Sequence, residues 1–114
     1  MNNLKNTVQL MGHLGRKPEL KTLASGKTLA SFSLATSDYH YDDKGEKITE
    51  TQWHNITAWG KLAEIADKYL DKGSEVLLQG KLVYNTYEDK NGQKRTSAEI
   101  WANDFQIING NKSK

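Results

Sequence analysis

Only one stretch of this chain repeats its apolar residues at helical spacing. Leu62, Ile65, Ala66 and Tyr69 fall at i, i+3, i+4 and i+7 behind Gly60, which predicts one amphipathic helix, with Gly73 as its stop after Lys72. Elsewhere the period is two. Val8, Leu10, Gly12 and Leu14 share a parity in a first strand from Asn6 to Leu14. A second strand, from Thr28 to Thr36, carries Ala30, Phe32 and Leu34 on its core face and is closed by the cluster Tyr39-His40-Tyr41. The third runs from about Glu50 to Trp59, the fourth from Ser74 to Glu88 and the fifth from Thr96 to Ile108. Turns are expected at Gly15 to Pro18, at Ser25-Gly26-Lys27, over the polar tip 42–47 and at Asn91-Gly92, with a short extension from Glu19 to Leu23.

Three strands, a lone helix and two more strands is not a βαβ alternation. It is the element order of the all-β oligonucleotide-binding (OB) barrel, with its α-helix between the third and fourth strands, and an open α+β sheet shares the same order. A length of 114 residues fits one domain, expected over 1–108 with a short flexible tail at 109–114. The absence of cysteine excludes disulfides, thiolate metal sites and cysteine nucleophiles. No apolar run is long enough to span a membrane and the N-terminal residues carry no signal-peptide pattern, so a soluble cytoplasmic protein is expected. Sixteen Lys+Arg against fourteen Asp+Glu leave a formal charge of +2, so affinity for nucleic acid must come from local arrangement.

The stretch 51–59 carries most of the functional information. Its His54-Ile56-Ala58 parity is the more aliphatic, whereas Trp53 and Trp59 flank Asn55 and Thr57 on the other. A core on the tryptophan side would bury two polar side chains, so the simpler assignment exposes both indoles. Rings exposed on a sheet face suit base stacking, worth ~1–3 kcal/mol per base with little dependence on which base; the competing use is a core or a subunit interface. Lys61 sits in the first helical turn, where the macrodipole disfavours a cation, and either meets a phosphate beside Trp59 or is a solvated surface lysine. Tyr87 shares parity with Val83 and Asn85 and can extend a stacking surface. Tyr39 and Tyr41 either cap a core edge or meet bases, and Trp101 faces either a ligand or another subunit.

Catalysis is not expected. His13, His40 and His54 have no metal-ligand spacing and there is no phosphate-cradling glycine loop, so neither metal nor cofactor is implied. Asp42-Asp43 beside Lys44-Gly45 reads as a solvated turn. His54, on the Ile56 face, reads as a buried or interface histidine.

Asn6-Thr7-Val8, Gly12-His13-Leu14-Gly15, Ser33-Leu34-Ala35-Thr36-Ser37, Thr51-Gln52-Trp53-His54, Trp59-Gly60-Lys61-Leu62-Ala63-Glu64, Tyr69-Leu70-Asp71-Lys72-Gly73-Ser74 and Gly80-Lys81-Leu82 together resemble the bacterial single-stranded DNA-binding proteins of the homotetrameric OB type, over nearly the whole chain. The resemblance implies a five-stranded OB barrel in a homotetramer that binds single strands during replication, recombination and repair, in the cytoplasm at the nucleoid. It implies base stacking at Trp53, Trp59, Tyr87 and one of Tyr39 to Tyr41, phosphate contacts at Lys21, Lys61 and Lys72, and His54 at a subunit interface. Two departures stand out. Val83 and Asn85 occupy fourth-strand positions that are often basic in the family, and the chain stops at Lys112-Ser113-Lys114 without the acidic tail that recruits replication and repair proteins. Other readings are a primosome-type or RNA-binding OB protein, and a structural assembly module.

Overall fold

Each long strand is buried over part of its length and has both faces in solvent over another part. The computed structural model describes residues 5–109. Its elements are β1 (Val8–Leu14), β2 (Glu19–Thr22), β3 (Thr28–Tyr41), β4 (Lys47–Trp59), α1 (Lys61–Tyr69), β5 (Glu75–Glu88) and β6 (Lys94–Asn109). In β3 the alternation is strict at Ala30, Phe32 and Leu34, all buried, and ends at Thr36; from Ser37 to Tyr41 every residue is exposed. Strand pairing with β4 nevertheless continues to Tyr41↔Lys47. The β3–β4 and β5–β6 hairpins are therefore long arms that extend past the core, and the molecule spans 55 × 46 × 32 Å.

The sheet order is β1-β5-β6-β4-β3-β2, and β1 also pairs with β3, at His13↔Ala35 and Leu14↔Leu34. That second pairing closes β1, β5, β6, β4 and β3 into the expected five-stranded barrel. All pairs are antiparallel except β4 with β6, which run parallel over three residues. The core comprises Leu14, Phe32, Leu34, Ile56, Val76, Leu78 and Ile100 with the small Ala30, Ala58 and Ala102, and α1 adds Ala63 and Ala66. Full burial of a side chain such as Phe32 contributes about 1.5–3 kcal/mol.

Three details differ from the sequence reading. The extension at Glu19 is a sixth strand, β2, which pairs with β3 from Glu19↔Ser31 to Thr22↔Thr28, so the helix follows the fourth strand in the chain and the third of the barrel. The helix ends at Tyr69, ahead of Gly73: Leu70 turns extended (φ −104°, ψ 148°) to enter the core, where it is fully buried. The last strand reaches Asn109, placed in the tail by the sequence reading; the rest of that tail, 110–114, lies outside the described residues.

Three turns have one plan. In 23–27, 42–46 and 89–93 the first residue's amide donates to the fifth residue's carbonyl, and the fourth, a glycine, donates to the first residue's carbonyl. Gly26, Gly45 and Gly92 have φ of 90°, 81° and 78°, the left-handed region that favours glycine. Asp42 and Asp89 each also accept two backbone amides on Oδ1, which gives Asp42 a structural role in its turn.

Candidate nucleic-acid interface

Because side chains alternate across a strand, the register fixes which residues share the outer face. On β4 that face holds Lys47, Thr49, Thr51, Trp53, Asn55, Thr57 and Trp59. Their β3 partners include Tyr41, Tyr39, Ala35 and Leu29. Leu29 is paired in turn with Lys21 on β2, so Lys21, Leu29 and Trp59 form one row. A second row crosses five strands: Glu19, Ser31, Thr57, Trp101 and Lys81. From Lys81 the same face continues along the β5–β6 arm through Val83 and Asn85 to Tyr87, which is paired with Arg95. Tyr39, Tyr41, Trp53, Trp59, Trp101 and Tyr87 thus belong to one continuous face.

Trp53 is 62% exposed, Tyr41 63%, Tyr39 56% and Tyr87 52%. The Trp53 indole is laid against Gly15: a Cβ there would lie 2.5 Å from its Cζ3 and 2.9 Å from Ser33 Oγ, so the ring's resting place exists only because residue 15 has no side chain. Trp59 departs from the expected exposure. It is half-buried and meets Trp101 edge to face (centroids 5.4 Å apart, planes at 64°), and Thr57 beside the two rings is only 8% exposed. The Trp59 indole N–H is buried without an acceptor among the described residues, so packing rather than a hydrogen bond holds this ring.

Lys21 and Lys61 are exposed and lie at the Trp59 end of the face, Lys61 as the first residue of α1. Lys72 is also exposed, in the turn between α1 and β5. Gly73 N–H donates to Leu14 O in that turn, which brings it to the barrel end carrying Gly15 and Trp53. His54 faces the other way, half-buried, with Nε2 2.9 Å from the Thr36 hydroxyl.

The sequence reading passed over two lysines on this face. Lys47 holds its ammonium 4.5 Å from the Tyr39 ring centroid, and Lys81 does so 5.2 Å from that of Trp101. Strand parity alone places them there, since Lys47 is in phase with Trp53 and Lys81 with Tyr87. Arg95, by contrast, is paired with Asp89 at 2.9 Å, and that hydrogen bond, with the Gln93 and Asn91 amides, holds the Asp89 carboxyl below the usual carboxylate range. Among the described residues no cluster of three or more His, Cys, Asp or Glu is arranged to hold a metal ion. None of the described helices is long and apolar enough to cross a membrane.

A closed five-stranded barrel with one capping helix and a face of aromatic rings defines a module of the oligonucleotide-binding fold. The family model for the single-strand binding protein family matches residues 5–108, and the chain belongs to that family. The single-stranded DNA-binding protein of Neisseria meningitidis is 43% identical over 105 residues, covering 92% of this chain and 60% of that protein. Single-stranded DNA-binding protein 1 of Chlorobaculum tepidum is 42% identical over 109 residues, 95% of this chain and 67% of that one. This chain spans about three-fifths of the length of the Neisseria protein. Among solved structures, Plasmodium falciparum SSB in complex with ssDNA matches with a TM-score of 0.85 at 32% identity, over 96% of this chain and 100% of that one. The single-stranded DNA-binding protein from Thermus aquaticus, in a deletion mutant, shares the fold with a TM-score of 0.79 at 24% identity, over 90% of this chain and 50% of that one.

Proposed function

We propose that this chain binds single-stranded DNA with little sequence preference, stacking bases on Trp53, Trp59, Tyr87, Tyr39 and Tyr41 and pairing phosphates with Lys21, Lys61 and Lys72, and so protects single strands during replication, recombination and repair. The observation that carries the reading is the gathering of these rings on one face, four of them at least half exposed. The family membership and the ssDNA complex of the Plasmodium relative support it. Stacking needs open base faces that a duplex hides, so single strands are preferred, and the reading requires no catalytic step. Titration with single- and double-stranded oligonucleotides at two salt concentrations tests it: tight binding to single strands alone is expected, and equal affinity for duplex overturns it. An RNA homopolymer arm separates the RNA-binding alternative, since a gain from the 2′-hydroxyl favours RNA.

The proposal includes a homotetramer. Two features support assembly: β1 pairs with β3 only at its last two residues, which leaves one edge of Val8–Gly12 without a strand among the described residues, and Met11, Ile107 and Ile108 are exposed apolar side chains. A monomer mass in light scattering at micromolar concentration overturns it. The proposal assigns His54 to the interface: His54→Ala should weaken assembly, and an unchanged mass in that variant removes the role.

A further inference from the structure

Where the turn 23–27 leaves the barrel, an open groove of about 750 Å³ runs between that turn, the start of α1 and the two half-buried indoles. Trp59 and Trp101 form one of its walls, Leu23 and the Ser25–Thr28 segment another, and Gly60, Lys61 and Glu64 its end. Trp101 belongs to β6, outside the residues used above for stacking. Its ring is fixed on two other sides: the Glu99 carboxylate accepts its indole N–H, and Lys81, opposite it in register, holds an ammonium over the ring. A side chain serving only as packing does not need an acceptor and a cation to set its tilt beside an open groove. Two indoles with planes 64° apart also make a corner, a shape that grips a flat ring on two sides where an open sheet face supports it on one.

We infer that this groove is a nucleobase-binding cleft in which one base of a bound single strand inserts against Trp101 and Trp59, with Lys61 and Lys81 meeting the flanking phosphates. The inference rests on the single-strand reading and deepens it. Trp53 and Trp59 are six residues apart on β4, ~20 Å at strand rise, so a strand stacked at Trp53 has the cleft as its next station along the same face. Ser25, Lys27 and Glu64 add polar groups to the groove lining, so this one position should discriminate among bases where the open face does not.

The test uses the unaltered chain first. A thymine-rich oligonucleotide carrying 5-iodouracil is bound, irradiated, and the linked peptides identified. Linkage to Trp101 is expected; linkage confined to Trp53 or the tyrosines, on the open face, overturns the cleft while leaving single-strand binding standing. Absence of binding by the unaltered chain overturns both. Trp101→Leu should then weaken oligonucleotide binding about fivefold or more with an unchanged salt slope, because a stacking contact and no ion pair is lost, and Trp101→Phe should recover part of it. Full affinity in a folded Trp101→Leu overturns the inference.

Discussion

Trp53 and Trp59 are alike in sequence context and unlike in the fold, and their substitutions should separate accordingly. Trp53 is mostly exposed on its Gly15 floor, so Trp53→Ala is expected to cost ~1–3 kcal/mol of single-strand binding with the unfolding midpoint nearly unmoved. Gly15→Ala should mimic it: the new methyl displaces the end of a side chain and no backbone, so affinity falls while the barrel stands. Equal affinity in Gly15→Ala would show that the indole need not lie where it rests. Trp59→Ala removes a half-buried ring packed on Trp101, so both binding and thermal stability should drop. Strand parity in the sequence was enough to put both tryptophans on one face. It could not tell them apart, because Trp59's burial comes from Trp101, 42 residues on in the chain, through the parallel β4–β6 pairing at Thr57↔Trp101.

The arms show why their full length was hidden in the sequence. Hydrophobic alternation reports burial on one face, and beyond Thr36 neither face is buried, so the signal stops although the ladder continues for five more residues to Tyr41. The helix end was misplaced for a related reason: Gly73 is a good terminator, but a fully buried Leu70 drew the chain out of the helix earlier. What holds the tip of the β5–β6 arm is local and therefore testable by pH. Asp89 is ionised below the usual carboxylate range because Arg95 and two backbone amides favour its charged form. A depressed folded-state value means the carboxylate's contribution is complete above the unfolded-chain range and is lost as pH falls through the lowered value. The amide protons of Asn91 and Gln93 should thus shift in an NMR titration only at pH values below those at which an ordinary aspartate titrates. Shifts centred at an ordinary carboxylate value would show that the Arg95 pairing does not persist in solution. Closure of the barrel depends on a different local feature. A Cβ at Gly12 would collide with the Ala35 carbonyl and one at Gly80 with the Trp101 carbonyl, both backbone, so alanine at either should cost ~1–3 kcal/mol or more in denaturant unfolding.

With a formal charge of only +2, the whole molecule cannot attract a polyanion strongly at long range, and its response to salt should reveal how binding is divided between rings and cations. Each phosphate neutralised on a single strand contributes about −0.7 to the log-log slope of affinity against salt. On the proposed face Arg95 is occupied by Asp89, and the β5 arm between Lys81 and Tyr87 presents Val83 and Asn85, which carry no charge. Lys47 and Lys81 already rest over rings, so a phosphate must draw each ammonium off an aromatic before the counterion it displaces counts as a gain. Stacking on the rings, by contrast, is little affected by screening. Binding should therefore persist into high salt with a shallow slope. Val83 and Asn85 share the outer face of β5 with Lys81 and Tyr87, so arginine at both places two new cations along the path to Tyr87. The double variant is expected to steepen the slope by roughly 1.4, at about 0.7 per added contact, and to raise affinity most at low salt. If it keeps the parent slope, the bound strand does not run along the β5 arm, and Tyr87 loses its place among the stacking residues.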